Sequence, residues 1–217
     1  MKKTLLWILD LAINIAVIFG LVLIIQTWII APFDIYGPSM CDTLNFIDDE
    51  CETQYGEKIM LNEAGYMVGD PERGDIVVFK AQPDSDKYFI KRIIGLPGET
   101  IEIKNGNVFL INSKDSIELE ENYLNETNKG KTETFFNDLT IFEIPEEHYM
   151  LMGDNRKAST DSRTCFKGKI SSECASNPEQ AFVHRDLIRG KAWFIWWPLA
   201  NMRFVESPEY FQANSES

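Results

Sequence analysis

The chain has 217 residues, enough for one sizeable core once an apolar N-terminal stretch is set aside. Its 34 acidic against 21 basic residues leave a net charge of −13, with nearly all of the acid excess beyond residue 33, which argues against a phosphate-binding face and so against nucleic acid as a partner. Four cysteines are too few for a disulfide-built scaffold, and neither they nor the two histidines, His148 and His184, have the spacing of a metal site; none is expected.

Met1-Lys2-Lys3 gives a basic start. Residues 11–30 follow as an apolar run interrupted only by Asn14, Gly20, Gln26 and Thr27. A helix needs about 20 such residues to cross the hydrocarbon core. Trp7 and Trp28 sit near its ends, where indoles favour the interface, and Asp10 belongs at the cytoplasmic edge. The two lysines keep the N-terminus inside. A cleaved signal peptide would have a shorter apolar region, about 7–15 residues, and a small-x-small site, which Ile30-Ala31-Pro32 does not supply. Residues 1–31 therefore read as a cytoplasmic stub and an uncleaved single-pass anchor in the cell membrane. Residues 32–205 read as an extracytoplasmic domain, and 206–217 as a polar tail.

Beyond Pro32 the pattern is mainly β. Ile76–Phe79 and Tyr88–Ile94 are β-branched and aromatic runs bounded by Arg73-Gly74-Asp75 and by Gly95-Leu96-Pro97-Gly98. Residues 100–104 and 107–111 alternate around Asn105-Gly106, a dipeptide suited to a type I′ hairpin turn. Residues 112–140 are polar and acidic, so a smaller inserted β lobe is expected over about 103–145. Tyr149–Met152 and Ala192–Trp197 are further apolar strands.

Ser39, on the turn Gly37-Pro38-Ser39-Met40 just outside the apolar run, is a candidate nucleophile. A serine hydroxyl needs a neighbour to take its proton. Neither histidine stands in a loop with a partner acid, which leaves lysine, in a Ser-Lys variant of nucleophile–base logic. A free lysine, with a pKa of about 10.4, is protonated at neutral pH and must be desolvated to act as a base. Lys91, flanked by Tyr88-Phe89-Ile90 and Ile93-Ile94, has such surroundings. Taken alone, it reads rather as a surface lysine on an amphipathic edge strand.

The conjunction of Gly37-Pro38-Ser39-Met40, Thr43-Leu44, Lys91 to Glu99, Met152-Gly153-Asp154-Asn155-Arg156, Ser159, Asp161-Ser162-Arg163, Gly190-Lys191-Ala192 and Trp197-Pro198 resembles the bacterial type I signal peptidases, in order and rough spacing over nearly the whole chain. The resemblance implies a mainly β fold: an N-terminal transmembrane helix, then a signal-peptidase-like β-sheet ectodomain with a smaller inserted lobe. It implies Ser39 as nucleophile and Lys91 as general base, with the Ser39 N–H as oxyanion donor. Ser159 would hydrogen-bond and orient the lysine. Asp161 and Arg163 would form a buried ion pair holding the same loop as Gly153 and Asp154. Met40 would pack behind the nucleophile, and Ile35, Leu44 and Ile90 would line the pocket for small side chains. The implied activity is a membrane-anchored serine endopeptidase that removes signal peptides from secretory preproteins, bound as an extended strand. It needs no cofactor and acts as a monomer at the lipid bilayer. The alternative is a non-catalytic, membrane-tethered β module that only binds exported precursors.

This chain departs from the family pattern in four places. Gly37 offers no hydroxyl where some relatives have a serine as second oxyanion donor. Asp42 replaces the usual proline of Ser-Met-x-Pro-Thr-Leu; because a carboxylate near Lys91 would oppose the needed pKa shift, it is expected to point to solvent. Cys41 is a rival nucleophile in principle, but position and turn favour Ser39. The stretch from Thr164 to Ala181 is longer than usual. Cys165 and Cys174 within it are the first candidate disulfide, against two free thiols, and Cys41 with Cys51 is the second candidate.

Overall fold

The computed structural model describes residues 2–28, 30–48, 50–113, 115–134, 140–167 and 177–208, and on the first helix the side chains of residues 3, 4, 6–20 and 22. That helix, α1, spans Lys2–Trp28 and leads almost directly into strand β1, Ile30–Tyr36. Its described large apolar side chains are exposed, and Leu6, Ile8, Ile13, Ile15, Ile18 and Phe19 are more than half exposed, so they face no protein. Among the described residues no helix is long and apolar enough to cross a membrane. The outer part of the expected span, residues 23–29, lies outside the described side chains.

The rest is mainly β, as the patterning predicts. One large sheet has the order β1, β4 (Tyr55–Asn62), β13 (Ile188–Trp197), β5 (Ile76–Lys80), β6 (Tyr88–Gly95), β11 (His148–Met152), β12 (Phe182–His184), with β14 (Arg203–Phe204) also pairing with β13. Its strand pairs are antiparallel. Strand β1 begins two residues earlier than the sequence suggests and contains Pro32, which an edge strand tolerates because its missing N–H is not needed by a second neighbour. A cluster of Ile35, Met40, Leu44, Ile59, Leu61 and their neighbours packs one part of this sheet. On β13 the inward residues Ala192 and Ile195 are buried while Trp193 and Trp197 are about half exposed.

A second, four-stranded sheet, β10 (Ile141–Glu143), β7 (Thr100–Lys104), β8 (Asn107–Ile111) and β9 (Ser116–Glu118), forms the inserted lobe, which starts at residue 100 rather than near 103. Its hairpin turns at Asn105 and Gly106, with φ of 52° and 84°, the pair of positive values that a type I′ turn requires. A two-stranded ribbon, β2 (Phe46–Ile47) with β3 (Glu50–Cys51), folds under the Ser39 turn.

Candidate active site

The Ser39 turn sits where β1 leaves the sheet. Gly37 has a φ of 86°, which an L side chain adopts only with strain, so its glycine identity follows from the backbone. Its N–H donates to Gln54 O at 3.0 Å. Lys91 lies on β6, opposite Val77 of β5. Only 3% of it is exposed, and its Nζ lies 2.7 Å from Ser39 Oγ and 2.7 Å from the Ile90 carbonyl. Burial lowers the amine pKa from 10.5 to about 8; Asp161 and Asp154 oppose the shift and Arg163 supports it. The Ser39 N–H makes no hydrogen bond among the described residues, so it is free to donate to an incoming oxygen.

Ser39 and Lys91 open onto a cleft of about 740 Å³ whose walls include Phe33 and Tyr36 from β1, Tyr55 from β4, and Tyr88, Phe89 and Ile90 from β6. Strand β1 pairs only with β4, and β11 pairs with β6 only from Arg92 to Gly95, so residues 30–36 and 88–91 present open backbone edges to the cleft.

The loop after β11 closes the site from behind. Gly153 packs so closely on the Ser39 carbonyl and the Ser159 side chain that a Cβ there would clash with both. Asn155 donates from its N–H to Ser39 O at 3.2 Å and from Nδ2 to Pro38 O at 3.1 Å. Asp161 caps the 3₁₀ turn Ser162–Thr164, accepts from Gly153 N–H at 3.0 Å, and meets Arg163 through both carboxylate oxygens, at 2.9 and 2.7 Å. Burial alone would push the Asp161 carboxyl up, but the Arg163 guanidinium and these hydrogen bonds outweigh it and hold it below the usual range. A second fully buried pair joins Arg92 to Asp154, which also accepts from Thr43 Oγ1 at 2.6 Å. A third joins Arg156 to Glu121 of the inserted lobe.

With this geometry in place, comparison with known proteins decides the family. A model described as "Signal peptidase, peptidase S26" matches residues 8–197. The chain belongs to the signal peptidase family. It is 34% identical to the signal peptidase IB of Staphylococcus aureus (strain MRSA252), over 96% of this chain and 98% of that one. It is 37% identical to the signal peptidase I P of Bacillus subtilis subsp. natto, over 82% of this chain and 89% of that one. A crystal structure of a signal peptidase I from Enterococcus faecalis V583 aligns with 28% identity and a TM-score of 0.39, over 57% of this chain and 97% of that one; the score is too low to bear on the fold.

Within this signal peptidase, several residues lie elsewhere than the sequence suggests. Ser159 is buried, yet its Oγ has no hydrogen bond of normal geometry, to Lys91 or to any other group, although it lies near enough to Asp161 to help keep that carboxyl low. The lysine amine is instead shared between Ser39 and its own strand's Ile90 carbonyl. Met40, Ile35, Leu44 and Ile90 do form one apolar cluster behind the serine, but of the three pocket candidates only Ile90 reaches the cleft wall. Ile35 and Leu44 are fully buried because β1 and the turn direct them into the core. Asp42 does not point to solvent. It is half-buried and accepts hydrogen bonds from the inserted lobe.

The second candidate disulfide is the one described: Cys41 is bonded to Cys51, with Cα atoms 5.7 Å apart, because the β2–β3 ribbon folds back under the turn. Cys41 therefore carries no thiol to compete with Ser39. Cys165 is also disulfide-bonded, and Cys174 lies outside the described residues. Sequence reasoning gave no role to Arg92 or Glu121. The signal for Arg92 was available: adjacent residues on a strand face opposite ways, so a buried Lys91 implies a second face for Arg92 that needs an acid.

Proposed function

We propose that this signal peptidase cleaves signal peptides from secretory preproteins through a Ser39–Lys91 dyad. The observation that carries the reading is the 2.7 Å approach of a buried, desolvated Lys91 amine to the Ser39 hydroxyl. The neutral amine takes the hydroxyl proton as Oγ attacks the scissile carbonyl. The Ser39 N–H stabilises the resulting oxyanion, a contribution typically worth about 10²–10³ in rate per donor. Collapse breaks the C–N bond, and the Lys91 ammonium gives its proton to the leaving amine. A water then loses a proton to Lys91 as it attacks the acyl ester, the C–Oγ bond breaks, Lys91 returns the proton to Ser39 Oγ, and the signal peptide leaves with its new C-terminal carboxyl group. Asp161, Arg163, Asp154 and Gly153 hold the loop against the serine, and Ser159 packs against Gly153 within it.

The precursor binds as an extended strand between the open edges of residues 30–36 and 88–91, by strand addition. Ile90 and the aromatic walls leave room there for small side chains next to the cut. The domain reading follows: residues 1–31 are the cytoplasmic stub and anchor, with α1 exposing apolar side chains on all sides to lipid, and 32–205 are the extracytoplasmic catalytic domain, a monomer. A module that only bound precursors would gain nothing from burying a lysine amine against a serine hydroxyl, and burial of a cation is costly.

The test is cleavage of a secretory precursor by detergent-purified wild type, Ser39→Ala and Lys91→Ala. Both variants are expected to lose at least about 10³ in kcat/KM. A Lys91→Ala protein that cleaves at the wild-type rate would remove lysine from the mechanism.

A further inference from the structure

The turn that carries Ser39 is tied down at three successive residues. Cys41 is bonded to Cys51, and Thr43 donates to Asp154 at 2.6 Å. Between them Asp42 holds a φ of 131°, a conformation that persists in an L residue only where the surroundings impose it. What imposes it lies 83 residues away in sequence: the Asp42 carboxylate accepts from the Asn125 N–H at 3.1 Å and from the Asn125 side-chain amide. It also accepts from Asn128 Nδ2 at 3.0 Å. Asn128 is buried, and its Oδ1 accepts in turn from the Lys157 N–H at 3.3 Å, on the loop that continues to Ser159. Asn125 closes its own turn by accepting from the Thr127 N–H at 2.9 Å. A proline at position 42 could make none of these bonds.

We propose that Asp42 is a positioning residue, latching the Ser39 turn to the 125–128 loop of the inserted lobe and so fixing the serine hydroxyl and N–H against Lys91. This rests on Ser39 being the nucleophile. The lobe is then part of the active-site frame, because the same loop bridges the serine turn and the Ser159 loop. Removing the carboxylate leaves the substrate cleft intact and lets the serine drift, so the loss falls on the chemical step.

The test uses the full chain in detergent and an internally quenched peptide with alanine at the first and third positions before its cleavage point. Asp42→Ala is expected to lower kcat on the order of tenfold with KM within about twofold, since a small misplacement of a reacting group costs rate rather than binding. Asp42→Asn, which keeps one acceptor oxygen, loses less. The Asn125→Ala/Asn128→Ala variant reproduces the loss, and combined with Asp42→Ala it lowers kcat no further. Amide hydrogen exchange over residues 38–44 speeds up in both variants. An unchanged kcat, a loss confined to KM, or additive losses would overturn the latch. If the wild type leaves the peptide uncut, the dyad reading fails; exchange over residues 38–44 that the Asn125→Ala/Asn128→Ala variant leaves unaltered would then sink the latch on its own.

Discussion

At the scale of single residues, the cost of function is concentrated in Lys91. Its pKa falls from 10.5 to about 8 because burial penalises the cation. Between those values the unfolded chain holds a proton that the folded chain has lost, so stability rises with pH across that window, and below about pH 8 the full cost of the buried cation is present. Lys91→Met keeps the volume and removes the charge. It is expected to be inactive and, at pH 7, more stable than wild type by on the order of 1–3 kcal/mol, with the gap narrowing towards pH 10. Urea unfolding of both proteins at a series of pH values measures this; a variant less stable at pH 7 would mean that the amine's bonds to Ser39 and Ile90 outweigh its desolvation. Ser39 and Lys91 were legible only through the conjunction of motifs along the chain, since the stretch around either residue is weak when read alone. The partners of Asp42 were not, since no local pattern links it to Asn125 and Asn128. The Ser159 expectation differs from the geometry: its hydroxyl makes no hydrogen bond to the lysine, whose amine instead meets Ser39 and the Ile90 carbonyl.

At the scale of elements, local chemistry was read well and pairings across the fold were not. The Asn105-Gly106 turn follows from two residues that accept positive φ. The Cys41–Cys51 bond depends on a ribbon of two-residue strands, too short to show periodicity, so the sequence ranks it behind the nine-residue Cys165–Cys174 step, of which Cys165 is also disulfide-bonded. Helix α1 was legible as an apolar run, and its described side chains cover the helix on every side with exposed apolar surface. Such a helix is stable in water only if something covers it, and in the proposed topology lipid does so. The full chain is therefore expected to stay with the membrane fraction in alkaline carbonate, and a chain lacking residues 2–28 to be released. Release of the full chain under the same treatment would refute the anchor.

At the scale of the molecule, the site exists only when distant segments meet. Residues 37–45 supply the serine and its turn, β6 the lysine, and 153–163 the supporting loop, while the inserted lobe pins both loops through Asn128 and through the Glu121–Arg156 pair. Asp161, Asp154 and Arg163, members of two buried arginine–carboxylate pairs, act on one buried amine, and desolvation outweighs their charges in setting its pKa. The central claim is that this frame keeps Lys91 neutral enough to take the proton from Ser39. The pH dependence of kcat/KM for precursor cleavage, which reports the pKa of the free enzyme's base, tests it most directly. The rate is expected to climb about tenfold per pH unit below neutrality, bend near pH 8 and level off above it. A profile that is flat from pH 6 to 9, or that bends only near the value of an exposed lysine, would contradict the account.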